Sequence, residues 1–159
     1  MIKVPSAAMG DAAKRISVER VIPAPPERIF DVLADPAQHA VIDGSGTVKD
    51  SRSGSPSRLT KGAKFGMSMR MGMPYRTANT VVEFEENRRI GWWHGAHNLW
   101  LYELEPVDGG TLVRESFDWS HSRAPWILKP MGFLSRNREG MEKTLERLDH
   151  HITGSTAPR

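Results

Sequence analysis

The sequence has 159 residues and no cysteine. That absence removes a disulfide framework, a thiolate nucleophile and cysteine-ligated zinc or iron–sulfur centres. It also fits a reducing cytoplasm. No stretch approaches the ~18 consecutive apolar residues of a membrane span. Met1 to Asp11 includes Lys3 but lacks the apolar run of a signal peptide. A cytoplasmic location without a membrane span is therefore expected. The glycines form no phosphate-cradling pattern, so no cofactor is expected. Excess charge is scarce too: 22 Lys and Arg stand against 19 Asp and Glu, a net of +3. Basic residues thicken at Lys49–Arg70 and Arg123–Arg147, but the second group is interleaved with acids and the first lacks stacking aromatics. A solvated basic face is expected there, with no nucleic-acid partner.

What is present is periodicity. Residues 15–152 read as one domain, with a tail over 1–14 and a frayed end over 153–159. Arg15–Ile22 alternates as a strand, with Ile16, Val18 and Arg20 on one face. Pro26 and Glu27 then suit a helix N-terminus, and Ile29, Phe30, Val32 and Leu33 give that helix an apolar face. Asp35–Pro36 interrupts it, and Ala37–Ile42 forms a second short turn. Strands are expected at Thr47–Ser51, Ala63–Met73, Tyr75–Glu86, Arg89–His94, Leu99–Val107 and Thr111–Trp119. Between the first two, Ser51–Lys61 is rich in Ser, Gly and Pro and reads as a mobile connection. Asp108–Gly109–Gly110 is a hairpin signal. The period then changes. Ile127, Met131, Leu134, Arg138, Met141, Leu145, Leu148 and Ile152 are spaced by three or four, a helical stripe of about seven turns whose start is kinked or delayed by Pro130 and Gly132. The class is α+β: a curved antiparallel sheet of about seven strands wrapped around one long C-terminal helix, with two short helices after the first strand.

Three features bear on function. Met67, Met69, Met71 and Met73 recur at period two, placing four polarisable thioethers on one strand face. They suit a deformable ligand wall, and equally a loosely specified core, a dimer surface or an oxidation sensor. Aromatics crowd the later strands: Trp92, Trp93, Trp100, Tyr102, Phe117, Trp119 and Trp126. They suit a ring-bearing ligand or plain core filling. Finally, Glu115 and Arg138 are each the one charge on an otherwise apolar stripe. They pair, hold a polar ligand group, or reach water at a rim. A buried Glu115 could act as an acid or base. The expected lining is Met67, Met69, Met71, Val82, Phe84, Trp92, Trp100, Tyr102, Glu115, Phe117, Leu134, Arg138 and Met141; the catalytic candidates are Glu115, Tyr102, His94 and Arg138. His39 or His94 could supply a proton or hydrogen bond at a pocket mouth. His94 and His97 lack a third ligand nearby, so no metal is expected. Asp118, Ser120 and His121 are adjacent on a strand end and do not read as a triad.

The stretches SVERVIPAPPERIFDVLADP, RRIGWW, YELEPVDGGTLVRESFDW and NREGMEKTLERL, in the order βααββ…βα, resemble the SRPBCC superfamily, the START/Bet v 1-like helix-grip group. The polyketide cyclase/dehydratase-like members from actinobacteria are the most similar. The resemblance implies a seven-stranded sheet gripping the C-terminal helix around a cavity. It implies binding of lipids, hormones, sterols or polyketide intermediates, and in some members cofactor-independent cyclisation or dehydration. It supplies no universal catalytic set. The leading expectation is a monomer or homodimer that binds a small hydrophobic or aromatic molecule. The alternatives are a cyclase or dehydratase in the same cavity, and an interaction module of the Hsp90-activator type.

Overall fold

A computed structural model describes residues 14–45, 48–51, 54–71, 73–127 and 133–154. Seven strands form one antiparallel sheet: β1 (Arg15–Ile22), β2 (Val48–Ser51), β3 (Lys64–Met71), β4 (Met73–Glu85), β5 (Arg89–His94), β6 (Asn98–Val107) and β7 (Gly110–Asp118). Their spatial order is β1-β7-β6-β5-β4-β3-β2, so consecutive hairpins build β2 to β7 and β1 closes the far edge. Two short helices, α1 (Pro26–Leu33) and α2 (His39–Ile42), follow β1, and the long helix α3 (Phe133–Thr153) ends the described chain. This is the expected helix-grip architecture.

Local chemistry explains the elements. Pro26 opens α1, where its missing N–H is harmless, and Asp35 accepts a hydrogen bond from Ala37 N to start the next 3₁₀ turn. Asn87, with φ 63°, supplies the left-handed position of the β4–β5 turn, and Gly109, with φ 84°, that of the β6–β7 hairpin. Ile29, Phe30 and Leu33 of α1 and Met141, Leu145, Leu148 and Ile152 of α3 are buried, closing the core over the concave face. Several polar links fix α3, among them Arg20 of β1, which donates to Asp149 at 2.8 Å, and Thr144 Oγ1, which accepts from Gly44 N at 2.9 Å. Gly44 is required there because a Cβ would sit 2.4 Å from Thr144 N. On the convex face, Glu83, Arg89 and Glu103 form a cross-strand ion-pair ladder, which Arg114 and Glu19 continue.

Three expectations change. Met73 does not continue the methionine stripe: it begins β4 opposite Met71 and is 75% exposed. The period of two simply runs through a hairpin. The β4 faces also switch midway, because a bulge between Val81 and Glu83 adds one residue. Thr77, Asn79 and Val81 face inward before it, and Phe84 packs on Phe30 after it, leaving Val82 half-buried at the bulge. The delayed start of the helical stripe is as expected: α3 begins at Phe133 and Ile127 lies in a 3₁₀ turn, Pro125–Ile127, while Met131 lies outside the described residues. The Ser/Gly/Pro connection is anchored: Leu59 is fully buried, its N–H donates to Ala34 O at 2.7 Å, and Arg58 pairs with Asp31 and Glu86. The tails expected at 1–14 and 153–159 lie almost wholly outside the described residues.

Candidate functional site

Strand register arranges the concave face in rows. One row crosses five strands as Val81, Trp92, Trp100, Phe117 and Ile16. The next runs Phe84, Ile90, Tyr102, Glu115 and Val18. Tyr102 and Glu115 are thus direct cross-strand neighbours set among apolar side chains, with the aromatic row beside them. Trp92 lies edge-on to Phe65 at 5.4 Å, and Trp100 lies 4.7 Å from Phe117. His39 stacks on Trp92 at 5.1 Å and caps that end from α2.

Glu115 is 2% exposed. The Tyr102 hydroxyl donates to its Oε1 at 3.0 Å, while its Oε2 is buried with no partner. Burial holds the Glu115 carboxyl well above the usual carboxylate range; the Tyr102 hydrogen bond opposes this and the nearby Asp43 charge adds to it. Burial likewise pushes the Tyr102 hydroxyl well up, helped by Glu115. The arrangement therefore favours a neutral acid: Tyr102 donates to one oxygen, and the other can present a proton to the interior.

A third row, nearer the β5–β6 hairpin, is polar. His94 Nδ1 lies 2.9 Å from Asn79 Oδ1, so Nδ1 carries the proton, and Asn79 Nδ2 donates to Phe65 O at 3.4 Å. Asn98 stands opposite His94, is 9% exposed, and its Oδ1 has no partner; nor has Thr77 Oγ1 on β4. Burial lowers the His94 pKa to about 4 and also lowers that of His39, whose Nε2 donates to Leu33 O at 2.9 Å.

Of the residues singled out in the sequence, Met67, Met69, Trp92, Tyr102, Glu115, Phe117 and Met141 come together in the core, with Phe84 and Trp100 partly buried against it. The side chains of Met71 and Leu134 lie outside the described residues. Arg138 does not join them. It is exposed on the flank of α3 over the edge strand β1, where its Nη1 approaches Ser17 O at 3.4 Å, so it neither pairs with Glu115 nor faces the interior. Ser120 donates to Asp118 Oδ1 at 2.6 Å and lies 3.0 Å from His121 Nδ1; serine, not histidine, is central, which is no triad. Among the described residues no group of three His, Asp or Glu could hold a metal. Sequence reasoning missed Thr77, Asn79 and Asn98. Counting back by twos from Val81 reaches Asn79 and Thr77, and Asn is unfavoured in strand interiors, so the signal was present but hidden by the bulge.

Two depressions open at the surface, one of them at the Ile16 end of the aromatic row. One of about 300 Å³ is lined by Ile16, Ser135, Arg138, Glu139 and Glu142; the other, of about 550 Å³, lies on the convex face by Arg89, Glu103 and Arg114. Neither is lined by Glu115 or Tyr102.

A sheet curled around one C-terminal helix, with two short helices after the first strand, defines a helix-grip protein. Residues 13–153 match the family described as polyketide cyclase/dehydrase and lipid transport, and the chain belongs to that family, within the SRPBCC superfamily. It is 33% identical over 147 residues to the uncharacterized protein Rv0088 of Mycobacterium tuberculosis; the match covers 88% of this chain but 65% of that protein's length. Among solved structures, protein Ms6760 from Mycobacterium smegmatis matches with a TM-score of 0.70 at 17% identity, covering 94% of this chain and 97% of that one. The Aha1 dimer from Colwellia psychrerythraea matches with a TM-score of 0.64 at 16% identity, covering 87% and 95%. At such identities the likeness is one of fold. No described helix is long and apolar enough to cross a membrane.

Proposed function

We propose that this protein binds a small hydrophobic or aromatic molecule between the sheet and α3, with the Tyr102–Glu115 pair holding a polar group of that ligand. The observation that carries this reading is Glu115 Oε2, buried on an apolar wall with no partner. An unsatisfied buried carboxyl oxygen costs roughly 1–3 kcal/mol, a cost a ligand atom would relieve. Met67, Met69 and Met141 border the same core, and flexible thioethers can yield to an incoming ring. The family's association with polyketide and lipid chemistry points the same way.

Cofactor-independent cyclisation or dehydration is the second reading. It is favoured by the convergence of two candidate groups, Glu115 and Tyr102, within 3.0 Å. Glu115 would act as the proton donor. His94, paired with Asn79, and the outward Arg138 have no part in that step.

Native mass spectrometry after incubation with a pool of neutral polycyclic and acyl compounds tests binding. A bound species that Glu115→Leu no longer retains supports the reading. A protein that captures none, and whose tryptophan fluorescence none of them alters, defeats it.

A further inference from the structure

The concave face is striped: a polar row, an aromatic row, then the row holding Glu115. Asn98 and Tyr102 are four residues apart on β6, so the two polar rows are separated by about 14 Å along the strand. Each holds a side chain more than nine-tenths buried with an unpartnered oxygen, Asn98 Oδ1 in one and Glu115 Oε2 in the other. Trp92, Trp100 and Phe117 fill the row between. Their hydrogen-bonding characters differ. Tyr102 already supplies a hydrogen to Glu115 Oε1, and burial favours the neutral acid, whose free oxygen then offers a donor. Asn98 Oδ1 is an acceptor. Among the described residues of these concave strands, the inward cation is Arg20, and it is committed to Asp149 at 2.8 Å.

We infer that the ligand is an uncharged, elongated ring system with a carbonyl-type oxygen at its Glu115 end and a hydroxyl at its Asn98 end, lying against the Trp92–Trp100–Phe117 row, and that a carboxylate such as a fatty acid is rejected. A carboxylate beside Glu115 would lack a counter-ion and would offer acceptors only, in surroundings that already disfavour negative charge. A hydroxyl suits the other end because it can donate to Asn98. This ligand class rests on the binding reading above.

Four steroid probes test it by quenching of tryptophan fluorescence: androsterone, with a ketone at one end and a hydroxyl at the other; its ketone-only and hydroxyl-only analogues; and the same skeleton with a carboxylate replacing the ketone. Nile red serves as an uncharged apolar control. Androsterone should bind about three- to tenfold more tightly than either single-group analogue, the range of one hydrogen bond each. The carboxylate should bind most weakly. Glu115→Gln should keep the ketone preference, since its amide still donates, whereas Glu115→Leu should lose that preference and retain the one for the hydroxyl. Asn98→Leu should do the reverse. Equal affinities across the series, or tightest binding of the carboxylate, with Nile red still bound, would overturn the inference and leave the binding reading standing. If neither Nile red nor any steroid binds, both fall together.

Discussion

Glu115→Gln should stabilise the folded protein by an amount that grows with pH. The two side chains have nearly the same shape, and Tyr102 can donate to the carbonyl oxygen of either. In acid, both are neutral and the stabilities should agree within about 0.5 kcal/mol. Above pH 4.5 an unfolded Glu115 ionises, while burial keeps the folded carboxyl protonated. The folded state then holds more protons than the unfolded state. Stability of the wild type therefore falls as pH rises, by about 1.4 kcal/mol per unit, until the folded pKa is passed. The variant has no such loss. A plot of the difference in unfolding free energy should be flat in acid and then climb with that slope. The rise from pH 5 to 6 alone is worth a melting-temperature shift of roughly 3–6 °C for a chain of this size. His39 and His94 add an opposite trend, since burial keeps them neutral in the fold and they cost stability as pH falls below 6.5. That trend is common to both proteins and cancels in the difference. Urea melts at half-unit steps from pH 4 to 8, at constant ionic strength, would measure it. A difference curve without slope would show that Glu115 titrates like an exposed carboxylate, and the neutral-donor account would fail.

Tyr102→Phe removes the hydrogen bond that favours the ionised Glu115, so the carboxyl pKa should rise further and stability should drop by about 1–3 kcal/mol at neutral pH, read by NMR titration and denaturant melts. His94→Gln should remove the His94 share of the acid sensitivity between pH 6.5 and 4, about 3 kcal/mol from the depressed pKa, and leave the His39 share, seen as a flatter stability profile on the acid side. Gly44→Ala should destabilise by about 1–3 kcal/mol, because its Cβ would collide with the α3 backbone at Thr144 N; thermal melts should show this with ligand binding partly retained. Arg138→Ala should leave stability within about 0.5 kcal/mol and ligand affinity unchanged, as its side chain is exposed on the helix flank.

The architecture was legible because its signals are local. Proline at the start of α1, the Asp108–Gly109–Gly110 hairpin and the change from a period of two to one of three or four each act within a few residues. Together they yielded the order of elements and the sheet around α3. The errors arose where local regularity survives a tertiary discontinuity. Methionines at period two pass unchanged through the β3–β4 hairpin, yet Met73 ends in solvent. A single bulged residue reverses the faces of β4, so alternation alone pointed to Val82 and overlooked Asn79. Helical spacing assigned Arg138 to the buried stripe, but the stripe is only as wide as the sheet that covers it, and at the edge strand the flank stays wet.

The sequence by itself determined the fold class, the family resemblance and the placing of Tyr102 and Glu115 on facing strands, because periodicity and hairpin chemistry are properties of neighbouring residues. Only the tertiary structure decided what those two residues do to each other. Register across β6 and β7 sets them side by side, the closing helices remove them from water, and that burial raises the pKa of the carboxyl and favours its neutral form. Register and burial are set by residues far apart in the chain, so no local pattern could have shown them.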